Sequence, residues 1–237
     1  MTSRSPRAVA TLSFLLVTVA GCGGGSARSA TPEVKSSPLQ AAAKAYNADQ
    51  LTQALLTGIS GYERMGAAQS GQFSSLAAVQ NSNQMQQAVK LDKPQCASST
   101  RAVSQEKAVQ ASPSALVAFV KGQGQSVSET LMAVGPDVAA QQVDLRVPAS
   151  CRSFRAKVGG HWSVNTIAEA QGTRIGEGSR TVGVSTTAGG TTVRTWFVVL
   201  RSRGYLATIT LYGPGVAQSE AVGLARKAYQ QAERILP

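Results

Sequence analysis

Three runs near the C-terminus constrain this chain more than any other feature. Ser179 to Thr187, Val193 to Leu200 and Tyr205 to Tyr212 are each rich in β-branched and apolar residues. Gly189-Gly190 separates the first two runs, and Ser202-Arg203-Gly204 separates the second from the third. Consecutive glycines accept the positive φ angles of a tight hairpin, and strands joined by such short turns pair antiparallel. Val193 to Leu200 is apolar on both faces from Trp196 onward, which predicts a central strand. Tyr205 to Tyr212 alternates, with Ala207, Ile209 and Leu211 on one face. Gly213-Pro214-Gly215 ends that run, and Ser219 is placed to cap a helix reaching about Leu236. The helix carries an apolar stripe of Ala221, Leu224, Ala225, Ala228, Ala232 and Ile235, which must pack on the sheet.

Upstream, Trp162 to Ala170 reads as one more strand. Ala115 to Lys121 and Val127 to Val134 flank Gly122-Gln123-Gly124 and read as another hairpin. Pro136 suits the first turn of a helix to about Val143. Pro38 to Thr57 reads as helix in two pieces; Asn47 and Gln50 form a capping box for the second, and Gly58 ends it. Gly61 to Met65 reads as a short strand, 66–82 as loop, Met85 to Val89 as a helical turn, and Ala97 to Val109 as helical. Ser150 to Phe154 shows no clear pattern. Together these elements predict an α+β domain: a curved antiparallel sheet of roughly five to seven strands with helices packed on one face. The second face is left free for a groove.

The N-terminus speaks to location. Arg4 and Arg7 precede an apolar segment from Ala8 to Ala20, and Val19-Ala20-Gly21-Cys22 closes it. A basic start, a short apolar core and a small-residue cleavage site make a secretory leader. The segment is shorter than the ~20 residues of a comfortable membrane span. A cysteine directly after Ala20-Gly21 has the form of a lipobox, so 1–21 is read as a lipoprotein signal peptide and Cys22 as the lipidated residue. A plain secreted protein is the alternative. Gly23 to about Ser37 is rich in Gly, Ser, Ala and Pro, which makes 22–37 a flexible tether. Residues 38–237 then form a single domain.

With Cys22 set aside, Cys96 and Cys151 remain. An even pair in an oxidising compartment points to one disulfide, and a pair of buried thiols is the alternative. The bridge would close a loop of about 55 residues. The formal net charge is +11, and it falls by two when Arg4 and Arg7 leave with the leader. For an exported chain the preferred reading of this excess is solubility and long-range attraction to the membrane; a site for anionic lipid or cell-wall polymer is the alternative, and nucleic acid is set aside. Arg152, Arg155 and Lys157 form the densest basic group, followed by Arg201 and Arg203.

Catalytic patterns are sparse. Gly58-Ile59-Ser60-Gly61 lacks the spacing of a nucleophile elbow, and Ser104-Gln105-Glu106-Lys107 lacks the companion motifs of penicillin-binding enzymes. His161 is the single imidazole, and its place between Gly160 and Trp162 at the start of a strand reads as a surface or strand-edge residue in preference to a general base. Two cysteines and one histidine are too few for a metal site. Gly172 to Gly178 is glycine-rich but lies between strands with no helix after it, so it reads as a loop. Glu169 and Glu177 could approach each other across that turn. Trp162, Trp196 and Tyr205 could line a ligand surface, but core packing is the preferred reading. No catalytic, cofactor or metal residue is assigned.

The order of features resembles a known group. A lipobox, a linker, a helix ending in Leu55-Leu56, then Gly61-Tyr62-Glu63, Pro94-Gln95-Cys96, a second cysteine at Cys151, strands and a C-terminal helix follow one another. This order is similar to actinobacterial surface lipoproteins related to the extracellular sensor domain of mycobacterial membrane serine/threonine kinases. Those sensor domains carry two disulfides, where this domain has cysteines for one. The resemblance implies an α+β sensor-like fold with a cleft and without known catalysis.

The expectation for function is thus a non-enzymatic, membrane-anchored envelope lipoprotein on the extracytoplasmic face. It would bind a ligand or act as a sensor or accessory subunit, with an envelope protein as a possible partner. The rivals are an envelope hydrolase using His161, and a lipid carrier or structural protein-binding module.

Overall fold

A ten-stranded antiparallel sheet organises the computed structural model, which describes residues 46–122, 124–171 and 174–236. Cys22, the leader, the linker and the first helical piece from Pro38 lie outside these residues. The described chain falls in one compact unit.

The chain enters through α1 (Ala48–Ala54). Asn47 Oδ1 accepts from Gln50 N at 2.9 Å, and Gln50 Oε1 accepts from Asn47 N at 3.0 Å, which is the expected capping box. The helix stops at Leu55, short of Gly58. β1 (Glu63–Arg64) and β2 (Gln69–Gln72) follow, then α2 (Ala77–Gln87), β3 (Lys90–Leu91), a 3-10 turn at Pro94–Thr100 and α3 (Lys107–Gln110). β4 (Pro113–Lys121) and β5 (Gln125–Met132) form the first hairpin. α4 (Pro136–Asp144) and a 3-10 turn at Ala149–Cys151 carry the chain to the far edge of the sheet. From there β6 (Ser153–Val158), β7 (His161–Ala170), β8 (Gly178–Ala188), β9 (Thr191–Ser202) and β10 (Tyr205–Gly213) meander back. β10 closes against β5, with Leu211 opposite Val127. α5 (Gln218–Ile235) ends the described chain. The strand order is β1-β4-β5-β10-β9-β8-β7-β6-β3, with β2 also on β4.

Alternation along the strands divides the core into layers. Under α1 and α5 lie Phe119, Leu131, Leu200, Ile209 and Leu211, packed with Leu51, Ala225 and Ala228. Burying each of the large side chains contributes roughly 1.5–3 kcal/mol. The other face is covered over its middle: Leu116, Met132, Val199 and Leu206 meet Val109 of α3 and Val143 of α4. Farther out, Phe154, Ile167, Val182 and Val184 pack with Val147 around the Cys96–Cys151 disulfide. The curved α+β sheet and the two helices on one face are as expected. The second face is open only at its margins.

Two glycine sites show why the meander takes this form. Gly189 and Gly190 have φ of 55° and 80°, as the tight β8–β9 turn requires. Gly183 lies beneath the Trp196 ring, where a Cβ would come within 2.5 Å of the indole.

Several local expectations need correction. Residues 66–82, read as loop, hold β2, a 3-10 turn and most of α2. That helix has no fully buried residue, and Ala78 and Val79, its contacts with the core, are adjacent and make no stripe at helical spacing. The stretch 97–109 is helical only at its two ends, as the 3-10 turn and α3. β6 was not foreseen; its inward Phe154 and Ala156 alternate with outward Arg155 and Lys157, but alanine and lysine give little strand signal. The N-cap of α5 is Ala217, which has no capping side chain, and Ser219 lies inside the first turn. No helix among the described residues is long and apolar enough to cross a membrane.

Candidate functional site

The β6–β7–β8 corner supplies a floor, and the segment from α2 through the Pro94–Thr100 turn supplies a roof. Register places Phe154, Asn165 and Thr186 in one cross-strand row, with Ala156 opposite Ser163 in the next. Alternation turns these residues toward the roof. Opposite them stand Asn83, Gln86 and Gln87 from α2, then Val89, Leu91, Pro94, Ala97, Thr100 and Arg101. The cleft between floor and roof measures about 670 Å³. Cys96 in the roof is bonded to Cys151, two residues before β6, so the disulfide clamps roof to floor.

The lining combines an apolar strip with amides and hydroxyls. Asn165 is 6 % exposed. Its Oδ1 accepts from Thr186 Oγ1 at 2.7 Å, while its Nδ2 has no partner. A buried amide donor without an acceptor is costly, and a ligand oxygen in the cleft would satisfy it. Arg101 Nη1 donates to Asn83 Oδ1 at 2.9 Å, and burial lowers the guanidinium pKa. The lining contains no carboxylate, histidine or cysteine. It is built to hold a ligand through amide and hydroxyl hydrogen bonds beside apolar contacts.

The sequence candidates are dispersed. His161 is exposed on the last rung of the β6–β7 hairpin, opposite Val158, and does not line the cleft. Glu169 and Glu177 are not paired: Glu169 Oε1 accepts from Val147 N at 3.0 Å, and Glu177 lies 3.8 Å from Arg201. Trp196 donates through Nε1 to Val216 O, and Tyr205 is fully buried with its hydroxyl donating to Glu233 at 2.9 Å, so both serve the core. Trp162 is 43 % exposed, with Arg155 and Lys157 over its ring. Ser104 meets Gln142, not Lys107: Gln142 Nε2 donates to its Oγ at 2.9 Å. Among the described residues no three metal-ligating side chains gather.

Two polar features escaped sequence reasoning. One is Asn165, which had no signal beyond an amide at an inward position of β7. The other is Glu129, which shares a face of β5 with Val127 and Leu131 and is 0 % exposed. Its Oε2 accepts from Leu56 N at 2.7 Å, and its Oε1 has no partner. Burial raises its pKa from 4.5 to about 7, against the opposing pull of the Leu56 hydrogen bond. The period-two pattern from Val127 to Leu131 was the available signal.

Fold and cleft together define a class: an α+β domain built on one curved antiparallel sheet, with a disulfide-clamped cleft at its edge. Among solved structures, the extracellular domain of PknH from Mycobacterium tuberculosis matches with a TM-score of 0.54 at 12% identity, covering 81% of this chain and 98% of that one. An Rv0999 ortholog from Mycobacterium smegmatis matches with a TM-score of 0.45 at 15% identity, covering 78% and 97%. The first match is a likeness of fold, and at that level it bears out the resemblance to extracellular sensor domains of mycobacterial kinases. No family model matches the sequence. No curated protein matches it either.

Proposed function

We propose that this chain is a non-enzymatic envelope lipoprotein, anchored through Cys22 on the extracytoplasmic face. Its domain binds a small, hydrogen-bonding ligand in the cleft, as a sensor or accessory subunit. The unpartnered Asn165 amide beneath a disulfide-clamped roof carries this reading. The fold shared with the extracellular domain of PknH supports it, as do the lipobox at Cys22 and the disulfide, which suits an oxidising compartment.

Native mass spectrometry of the protein purified from its own envelope tests the ligand. A co-purifying mass is expected in the parent chain and is expected to fall in Asn165→Leu, with stability changed by about 1 kcal/mol or less. A clean apo mass in the parent chain, or undiminished ligand in the variant, would count against the cleft and turn attention to protein partners.

The anchor has its own test. Cys22→Ala is expected to shift the protein from the membrane fraction to the medium. Retention at the membrane would refute lipidation at Cys22.

A further inference from the structure

A second cleft, of about 620 Å³, opens where β7 ends and β8 begins. Arg146, Arg152 and Arg180 line it, together with Ile167, Val182 and a single carboxylate, Glu169. The ion pairs among the described residues are Arg155–Asp92 and Arg201–Glu177, so none of these three guanidiniums has an acidic partner. Arg180 Nε donates to Gln142 O at 2.7 Å, and its Nη2 donates to Ala102 O at 2.6 Å. Arg146 Nη1 donates to Val143 O at 3.2 Å and to Leu145 O at 3.0 Å. Neutral carbonyls thus fix both side chains in place while leaving their charges and several N–H groups unspent. The Arg152 side chain makes no hydrogen bond among the described residues, and it is exposed at the rim.

The balance of charge favours an anion. Three guanidiniums face one carboxylate, and Glu169 is already engaged by Val147 N. The carbonyl end of α4 offsets only about half a charge. Burial lowers the Arg180 pKa to about 10; Glu169 opposes the shift and Arg146 adds to it. The charge of a bound anion would offset both the cost of burial and the repulsion between guanidiniums. A phosphate group presents enough oxygens to accept from more than one guanidinium fork at once.

We infer that this cleft is a binding site for a phosphate group, with Arg180 and Arg146 as pre-positioned donors and Arg152 as the rim cation. The phosphate can come from a soluble ester or from an anionic lipid headgroup. Calorimetric titration of the full chain in neutral detergent separates these sources. One arm uses inorganic phosphate, and the other uses short-chain phosphatidylglycerol below its micelle concentration, each against chloride at matched ionic strength. Saturable binding in at least one arm is expected. Saturation by inorganic phosphate marks a soluble phosphate ligand, and saturation by phosphatidylglycerol alone marks a headgroup. Arg152→Gln touches no internal hydrogen bond of its side chain and is expected to weaken that binding about five-fold at unchanged Tm. Absence of saturable binding in both arms would overturn the inference, as would binding that Arg152→Gln leaves unaltered.

Discussion

The Cys96→Ser/Cys151→Ser double variant is expected to lose about 4 kcal/mol of stability, the chain-entropy value for a closed loop of this size. The bridge spans a sequence separation of 55 residues and joins two 3-10 turns, which are otherwise tied by Lys93 Nζ donating to the carbonyls of Ser150 and Ser153 and by the short β3–β6 pairing. Around it the core is thin: Val147, Phe154, Ile167, Val182 and Val184 make up most of the apolar cluster. For a domain of this size the loss corresponds to a fall in Tm of roughly 10 °C. Thermal unfolding of the oxidised parent and the double variant measures it, and a Tm within a degree or two of the parent would show that the clamp is dispensable. Because roof and floor of the Asn165 cleft are joined through this bridge, the variant is also expected to lose co-purified ligand.

Glu129 provides the second large effect, with a defined dependence on pH. Its folded-state pKa of about 7 lies above the ordinary value of 4.5, so the folded state holds the proton more tightly than the unfolded state. The protonated form's contribution is fully present below about pH 4.5 and is lost as pH rises through about 7. The cost of ionising the buried carboxyl then amounts to about 3 kcal/mol. Glu129→Gln keeps an oxygen for Leu56 N and cannot ionise. Relative to the parent it is expected to be neutral near pH 4 and more stable by about 3 kcal/mol at pH 8. Denaturant unfolding of both proteins across this range checks the sign, and a difference that stays flat with pH would refute the buried ionisation. The same carboxyl ties the exit of α1 to β5 through Leu56, so its titration acts on the joint between the N-terminal helix and the sheet.

Most of the fold was legible in the chain because its signals are local. The β8–β9 hairpin follows from Gly189-Gly190, β9 from a doubly apolar run, and α5 from its stripe of alanines and leucines. The Asn47–Gln50 capping box placed the start of α1 to the residue. The parts that stayed hidden lack such periodicity. α2 sets only Ala78 and Val79 against the core, and β6 alternates with residues of weak strand preference, yet these two elements frame the Asn165 cleft.

The candidate site shows the same division. Parity, with the export expected from the N-terminus, pointed to Cys96 and Cys151 as partners, and the disulfide between them is present. His161, singled out because it is the only imidazole, proved to be an exposed hairpin residue away from the cleft lining. Asn165, Glu129 and the Arg146–Arg152–Arg180 group are polar residues of common types; only Arg152 stands in a local basic cluster, and only the alternation from Val127 to Leu131 places Glu129 on an inward face. Hairpins, caps and helix faces are encoded by neighbours within a few residues, so they can be read directly. A buried carboxyl, an unpaired amide or three unneutralised guanidiniums depend on which distant strands lie side by side and where water is excluded. Only the pairing of β10 with β5, and the crossing of the chain from β5 to β6, settles those.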